Sequence, residues 1–248
     1  MGKIYILWLR QIKRYIRSRS RIVGALVQPM LYLLALGYGF GSVFRQAGQG
    51  SYLHFLAPGV IGMSIIFTAI FSGMEVIWDR QFGFLKETLV APMSRFNIML
   101  GRTLGGATVA TLQGAIVMVV SLALGFRPEN PLAMVAVVPY MFLMALMFTS
   151  LGTAIASVLN DMQGFQLIIN FLVMPMFFLS GALYPLSGLP TALAVVARLN
   201  PLSYGVDAFR DLLIGAGHYG LVVDTAVLIG LTLAFLAAGS RFFNRVQV

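Results

Sequence analysis

The sequence predicts an all-α polytopic membrane protein with six transmembrane helices, an N-terminal amphipathic interfacial helix and an extracellular re-entrant helical hairpin between spans 5 and 6. Three observations carry this. Of 248 residues, 59% are hydrophobic and 10% charged, against about 45–50% and about 25% in soluble domains. Six stretches reach the roughly 20 mostly apolar residues a bilayer crossing requires: 22–43, 55–78, 103–126, 132–159, 165–184 and 221–240. Basic residues are unevenly shared between the loops those spans define. Lys3, Arg10, Lys13, Arg14, Arg17, Arg19, Arg21, Arg80, Lys86, Arg95, Arg102, Arg241 and Arg245 fall on the side of the termini, and only Arg45, Arg127, Arg198 and Arg210 on the other. That bias places both termini in the cytoplasm.

Residues 1–21 form the first element. On a helical wheel Ile4, Tyr5, Trp8, Ile12, Tyr15 and Ile16 share one face, and Lys3, Arg10, Lys13, Arg14, Arg17 and Arg21 the other. Such a helix lies at a membrane surface, where each basic residue near anionic lipid contributes about 1 kcal/mol. Anchoring explains it, and so does a second role as a lever beside a cytoplasmic partner. The basic stretch leads into a full-length span rather than a short leader, so no cleavage is expected.

Pro29, Pro58, Pro139 and Pro175 fall inside spans 1, 2, 4 and 5, where each removes a backbone hydrogen bond and permits a kink. In span 2, Glu75 stands about one turn from Asp79 and has Arg80, Arg102 and the N-terminal basic face as candidate partners, so a local structural pair and a gating or substrate-binding role on the transport pathway both fit. Between spans 2 and 3, residues 79–96 mix charge with Phe82, Leu85 and Leu89 at helical spacing before Pro92. This reads as a short amphipathic helix that either docks in a partner's groove or rests on lipid headgroups. Span 3 opens with Gly101 and Gly105 in GxxxG spacing, which suits close helix packing within the chain or between copies. The loops are too short to hold a soluble domain, so 1–248 is one transmembrane domain.

After span 5, residues 185–215 are too polar to span and too apolar for a loop. Asn200 can cap a helix, Pro201 suits its first turn and Gly215 its end. Leu202, Val206, Phe209 and Leu213 then share a face, with Asp207, Arg210 and Asp211 away from it. The expected hairpin dips into the outer leaflet with these charges at the water edge, or with Asp207 paired to Arg210.

Several chemistries are absent. No GxxxxGK[ST] phosphate loop occurs, and Lys3, Lys13 and Lys86 lie in no such context, so the chain is expected to hold no ATP itself. His54 and His218 are isolated, no HExxH occurs, and the absence of cysteine removes disulfides and thiolate metal sites. The expectation is therefore no catalytic site and no metal, with membrane lipid rather than nucleic acid as the partner of the basic residues. Span centres carry no charge, which suits a hydrophobic or amphiphilic cargo better than the proton or ion relay of a secondary transporter or channel. Phe67, Phe71, Met174, Phe177 and Phe178 are candidate lining residues of its pathway.

Two stretches resemble a known family. The loop "WDRQFGFLKETLVAPMSRFN" is similar to the cytoplasmic loop of type-2 ATP-binding-cassette (ABC-2) permeases, the membrane subunits of bacterial exporters. Ser180, Ala182, Leu189, Pro190, Pro201, Leu202, Tyr204 and Arg210 follow in order the pattern that family carries from the end of span 5 onward, with Val173 a mild departure. The resemblance implies that 79–96 is a coupling helix gripping an ATP-hydrolysing subunit through Asp79, Arg80, Phe82, Leu85, Glu87, Leu89, Pro92 and Arg95. A second contact would be the turn at Asp161. It further implies two ATPase subunits carrying ATP and magnesium, a second permease copy as a homodimer or heterodimer, residence in the cell inner membrane, and outward movement of a drug, antibiotic, lipid or lipid-linked glycan. Pro201, Tyr204, Asp207 and Arg210 would cap the outer end of the pathway.

Overall fold

A computed structural model describes residues 2–46, 50–83, 94–159 and 161–244, and these contain helices and turns but no strand. In chain order the helices are α1 (Gly2–Arg17), α2 (Arg19–Leu31), a π-helical stretch (Tyr32–Leu36), α3 (Gly37–Gly39), α4 (Gly41–Gln46), α5 (Tyr52–Ser72) and α6 (Met74–Gln81). They continue with α7 (Arg95–Ala123), α8 (Ala133–Val158), α9 (Met162–Phe178), α10 (Thr191–Leu199), α11 (Pro201–Ile214) and α12 (Leu221–Asn244).

Among the described residues, five segments are long and apolar enough to cross a membrane: Arg19–Gly39, Tyr52–Gln81, Arg95–Ala123, Ala133–Val158 and Leu221–Phe243. Over the sixth expected span, 165–184, the chain forms the shorter apolar helix α9, whose 17 residues reach about 26 Å at 1.5 Å per residue, short of a roughly 30 Å core. It stops early because Ser180 turns its hydroxyl onto the Phe177 carbonyl and Gly181 follows in the left-handed region at φ +76°. The first span widens into a π-turn just after Pro29, the residue that cannot supply its helical N–H.

The core is built on α5, flanked by α7, α8 and α11, with Val60, Ile61, Ile65, Met141, Phe148 and Phe209 fully or almost fully enclosed. Glycine sets the closest approaches. A Cβ on Gly152 of α8 would stand 2.6 Å from the Ile70 carbonyl oxygen, and Gly73, at the break between α5 and α6, faces Gly152 backbone to backbone. By contrast α9 leaves Leu167, Phe171 and Phe178 exposed, and α2 leaves Val23, Val27 and Leu31 exposed. These are apolar faces suited to lipid or to another chain.

The N-terminal helix is present and runs lengthwise beside the first half of α7. Leu7 sits where a Cβ on Gly101 would be, 3.1 Å away, Gln11 occupies the corresponding place at Gly105, and the Trp8 indole donates to Thr108 Oγ1 at 3.0 Å. The GxxxG pair therefore serves packing within the chain. The buried face of α1 is also rotated toward its basic edge. Leu7 and Tyr15 are buried, while Tyr5 and Ile16, expected on the apolar side, are exposed. Ion pairs described below account for the rotation.

Candidate functional site

Candidate site residues gather at two ends of the bundle. At the first, α6 carries two buried carboxylates, Glu75 and Asp79, one turn apart. Buried charge must be paired to persist, and both find arginines on other elements. Arg102 of α7 donates through Nη2 to Asp79 at 2.5 Å, and Arg10 of α1 approaches the other oxygen at 3.8 Å. Glu75 meets Arg21 of α2 at 3.2 Å and Arg14 of α1 at 3.7 Å. Of the partners expected for Glu75, the N-terminal basic face is the one observed.

Arg80, next to Asp79, points elsewhere. Its Nη1 donates to the Leu159 carbonyl at 3.1 Å and its Nη2 to that of Ser157 at 3.3 Å. These are carbonyls at the C-terminal end of α8, which lack helical partners and attract cations. Asp161 caps α9, its carboxylate accepting from the Gly164 amide. Trp78 donates its indole N–H to the sulfur of Met162 across the same gap. The start of the 79–96 segment is thus joined through Arg80 to the C-terminal end of α8, just ahead of the second expected contact at Asp161.

The ends of that segment belong to neighbouring helices: Asp79 and Arg80 complete α6, and Arg95 opens α7 behind its cap at Ser94, whose hydroxyl accepts from Asn97 at 3.2 Å. Phe82 is exposed in the turn after α6. Leu85, Glu87, Leu89 and Pro92 lie outside the described residues.

The second end is the hairpin of α10 and α11. Asn200 caps α11 by accepting from the Leu202 amide at 3.0 Å and also donates to the Met176 carbonyl of α9 at 2.6 Å. Pro201 occupies the first turn, and Gly215 at φ +61° closes the helix. Leu202, Val206, Phe209 and Leu213 form the predicted inward face. The charges depart from expectation: Asp207 and Arg210 are both almost wholly buried rather than at the water edge. Asp207 accepts from the amides of His218 and Tyr219 at 2.7–2.8 Å. Arg210 donates to the carbonyls of Gly181 and Ala182 at 2.7 and 3.0 Å and stands 3.8 Å over the Phe55 ring. Residues three apart on a helix can meet, but here unsatisfied backbone groups of the flanking turns claim both side chains. Desolvation pushes the Arg210 guanidinium down to about 10, with Asp207 opposing the fall, so it stays a cation at neutral pH. Tyr204 ties α11 back to α10 by donating to the Arg198 carbonyl at 2.7 Å.

Of the candidate pathway residues, Phe67 and Phe71 stack at 6.4 Å and line a cavity of about 350 Å³ bounded by α1, α2, α5 and α7. Glu75 borders a second cavity of similar size that shares Arg21 and Phe71 with the first. Met174 is half-buried, Phe178 is 45% exposed, and Phe177 is wholly buried with its ring edge-on to Tyr32 at 5.6 Å. Phe177 is therefore a packing residue here. Sequence reasoning did not place Tyr15, Gln28 and Gln113 on a cavity wall, although a lone amide within the apolar run of span 3 is a signal that can be read.

Among the described residues, an all-helical bundle with several helices long and apolar enough to cross a membrane, charges tied across elements at one end and buried in a hairpin at the other, is the build of a multi-pass membrane protein. The chain belongs to the ABC-2 type transporter family, whose profile matches residues 2–214. It is 30% identical over 234 residues to nodulation protein J of Rhizobium leguminosarum bv. trifolii, covering 94% of this chain and 85% of that one. To the inner membrane transport permease YadH of Escherichia coli K12 it is 28% identical over 231 residues, covering 92% and 90%. Nodulation protein J of Rhizobium meliloti is 28% identical over 222 residues, covering 88% and 84%.

Proposed function

We propose that the chain is the membrane subunit of an ATP-binding-cassette exporter. In this reading six spans set both termini in the cytoplasm, two permease copies pair with two ATPase subunits that hold ATP and magnesium, and a hydrophobic or amphiphilic substrate moves outward. The observation that supports it most is the linkage at the arginine-rich end. The first residues of the 79–96 segment are tied through Asp79 to α1 and α7 and through Arg80 to the C-terminal end of α8. A push on that segment from an ATPase subunit would reach three elements together. The apolar span interior and the inner-membrane permease among its relatives agree with this.

The experiment is co-reconstitution of the chain with its ATPase subunit and measurement of cargo-stimulated hydrolysis. Arg80→Ala should lower the stimulation several-fold, because the contact that ties the segment to the end of α8 is removed. Transport by the permease alone would end the proposal. A gradient-driven carrier is the rival, and it would rest on Asp224. That carboxylate is wholly buried in the first turn of α12, with neither oxygen hydrogen-bonded. Transport driven by a proton or sodium gradient without ATP, and lost in Asp224→Asn, would establish the rival.

A further inference from the structure

The cavity between α1, α2, α5 and α7 has the size of a small-molecule pocket, but its lining is of two kinds. Pro29, Met63, Phe67 and Phe71 make an apolar wall. Opposite them Gln113 is wholly buried. Its carbonyl oxygen accepts the Tyr15 hydroxyl at 2.5 Å, while its amide nitrogen has no partner. A buried donor left unmet is costly, so an occupant offering an acceptor at that depth is favoured over a purely apolar one.

The mouth adds charge. Arg21 lines this cavity and the adjoining one that holds Arg14, Glu75 and Trp78. Two guanidiniums face the single Glu75 carboxylate, which leaves positive charge in excess where the cavities join.

We propose that the joined cavities bind an anionic amphiphile. Its phosphate or carboxylate head lies against Arg14 and Arg21, an acceptor oxygen a few atoms deeper meets the Gln113 amide, and its apolar chain runs along Phe67 and Phe71. A bilayer phospholipid and an amphiphilic cargo share this chemistry. The assignment rests on the permease reading only for its membrane setting.

Trp78 at the mouth provides the readout, since Trp8→Phe makes it the only tryptophan. The full chain carrying that change is reconstituted into phosphatidylcholine vesicles containing brominated phosphatidylglycerol or, separately, brominated phosphatidylcholine. The anionic lipid should quench Trp78 preferentially. Arg21→Gln should weaken that preference about tenfold, the scale of one charge-assisted hydrogen bond. Arg19→Gln, which removes a charge lining neither cavity, should leave it unchanged. Gln113→Leu, which alters no charge, should weaken binding of either probe, and it keeps the proposal testable should Arg21→Gln not fold. Added dodecyl phosphate separates the sources: displacement identifies an exchanging amphiphile, and persistent quenching identifies a resident lipid. Equal quenching by the two brominated lipids, or a loss in Arg19→Gln matching that in Arg21→Gln, would overturn the site. No ATP or partner enters the assay, so failed transport with intact binding counts against the exporter reading alone.

Discussion

The two charged ends of the bundle solve the same problem differently. At the hairpin, Asp207 and Arg210 are buried and bind backbone: one holds the amides of 218 and 219, the other the carbonyls of 181 and 182. At the arginine-rich end, the carboxylates of α6 bind side chains of α1, α2 and α7, and Arg10, Arg14 and Arg21 keep 35–45% of their side-chain surface. A charge clamped to backbone has one geometry and is costly to unmake. Flexible arginines that share two carboxylates can exchange partners at small cost. The hairpin end is therefore built to hold its shape, and the arginine-rich end to be rearranged.

The sharpest break in this comparison is Arg210→Met. It leaves the Gly181 and Ala182 carbonyls unmet and Asp207 without its nearby cation, and it should cost about 3–5 kcal/mol. The expected result is a large drop in the melting temperature of the purified chain, or loss of monodisperse protein. Arg210→Lys should rescue only part, because one ammonium cannot reproduce a planar group that bonds two carbonyls and stacks on Phe55. Near-complete rescue would mean that charge alone is required.

A middle effect is expected at Arg102, the most buried of the four arginines. Arg102→Gln removes the close partner of Asp79 and leaves Arg10 at 3.8 Å, for a cost of about 2–3 kcal/mol. Combining it with Asp79→Asn should restore part of the loss, since the charge that would be stranded is gone. A thermodynamic cycle of the four chains, read by thermal unfolding, measures that coupling. No coupling would place the stability of this end in helix packing.

Much of this was legible in the residues. Apolar runs located every long helix, because a span must be apolar over its whole length. Asn200, Pro201 and Gly215 marked α11 because caps act on neighbours in the chain. The two ends of the family pattern prove to meet, with Arg210 gripping the turn that Ser180 stabilises. Partners distant in sequence were not legible. A helical wheel shows that α1 has two faces but not that Glu75 and Asp79 draw its basic edge toward α6 while Leu7 and Gln11 settle on Gly101 and Gly105. Nor does spacing decide whether Arg210 answers Asp207 or a carbonyl, because that depends on which group the fold leaves unsatisfied.

The smallest effect tests the redundancy itself. Arg14 and Arg21 both address Glu75 and are each more than a third exposed, so water screens either pair and each is worth about 0–1 kcal/mol. Arg14→Gln and Arg21→Gln alone should shift the melting temperature very little, because the remaining arginine still neutralises a carboxylate only 9% exposed. Together they leave Glu75 buried with both of its ion-pair partners gone, and the loss should exceed the sum of the singles. Glu75→Gln added to the double change should recover that excess, since the stranded charge and not the missing contacts is its source. If the two singles simply add, each arginine holds its own place, and the arginine-rich end is as rigid as the hairpin.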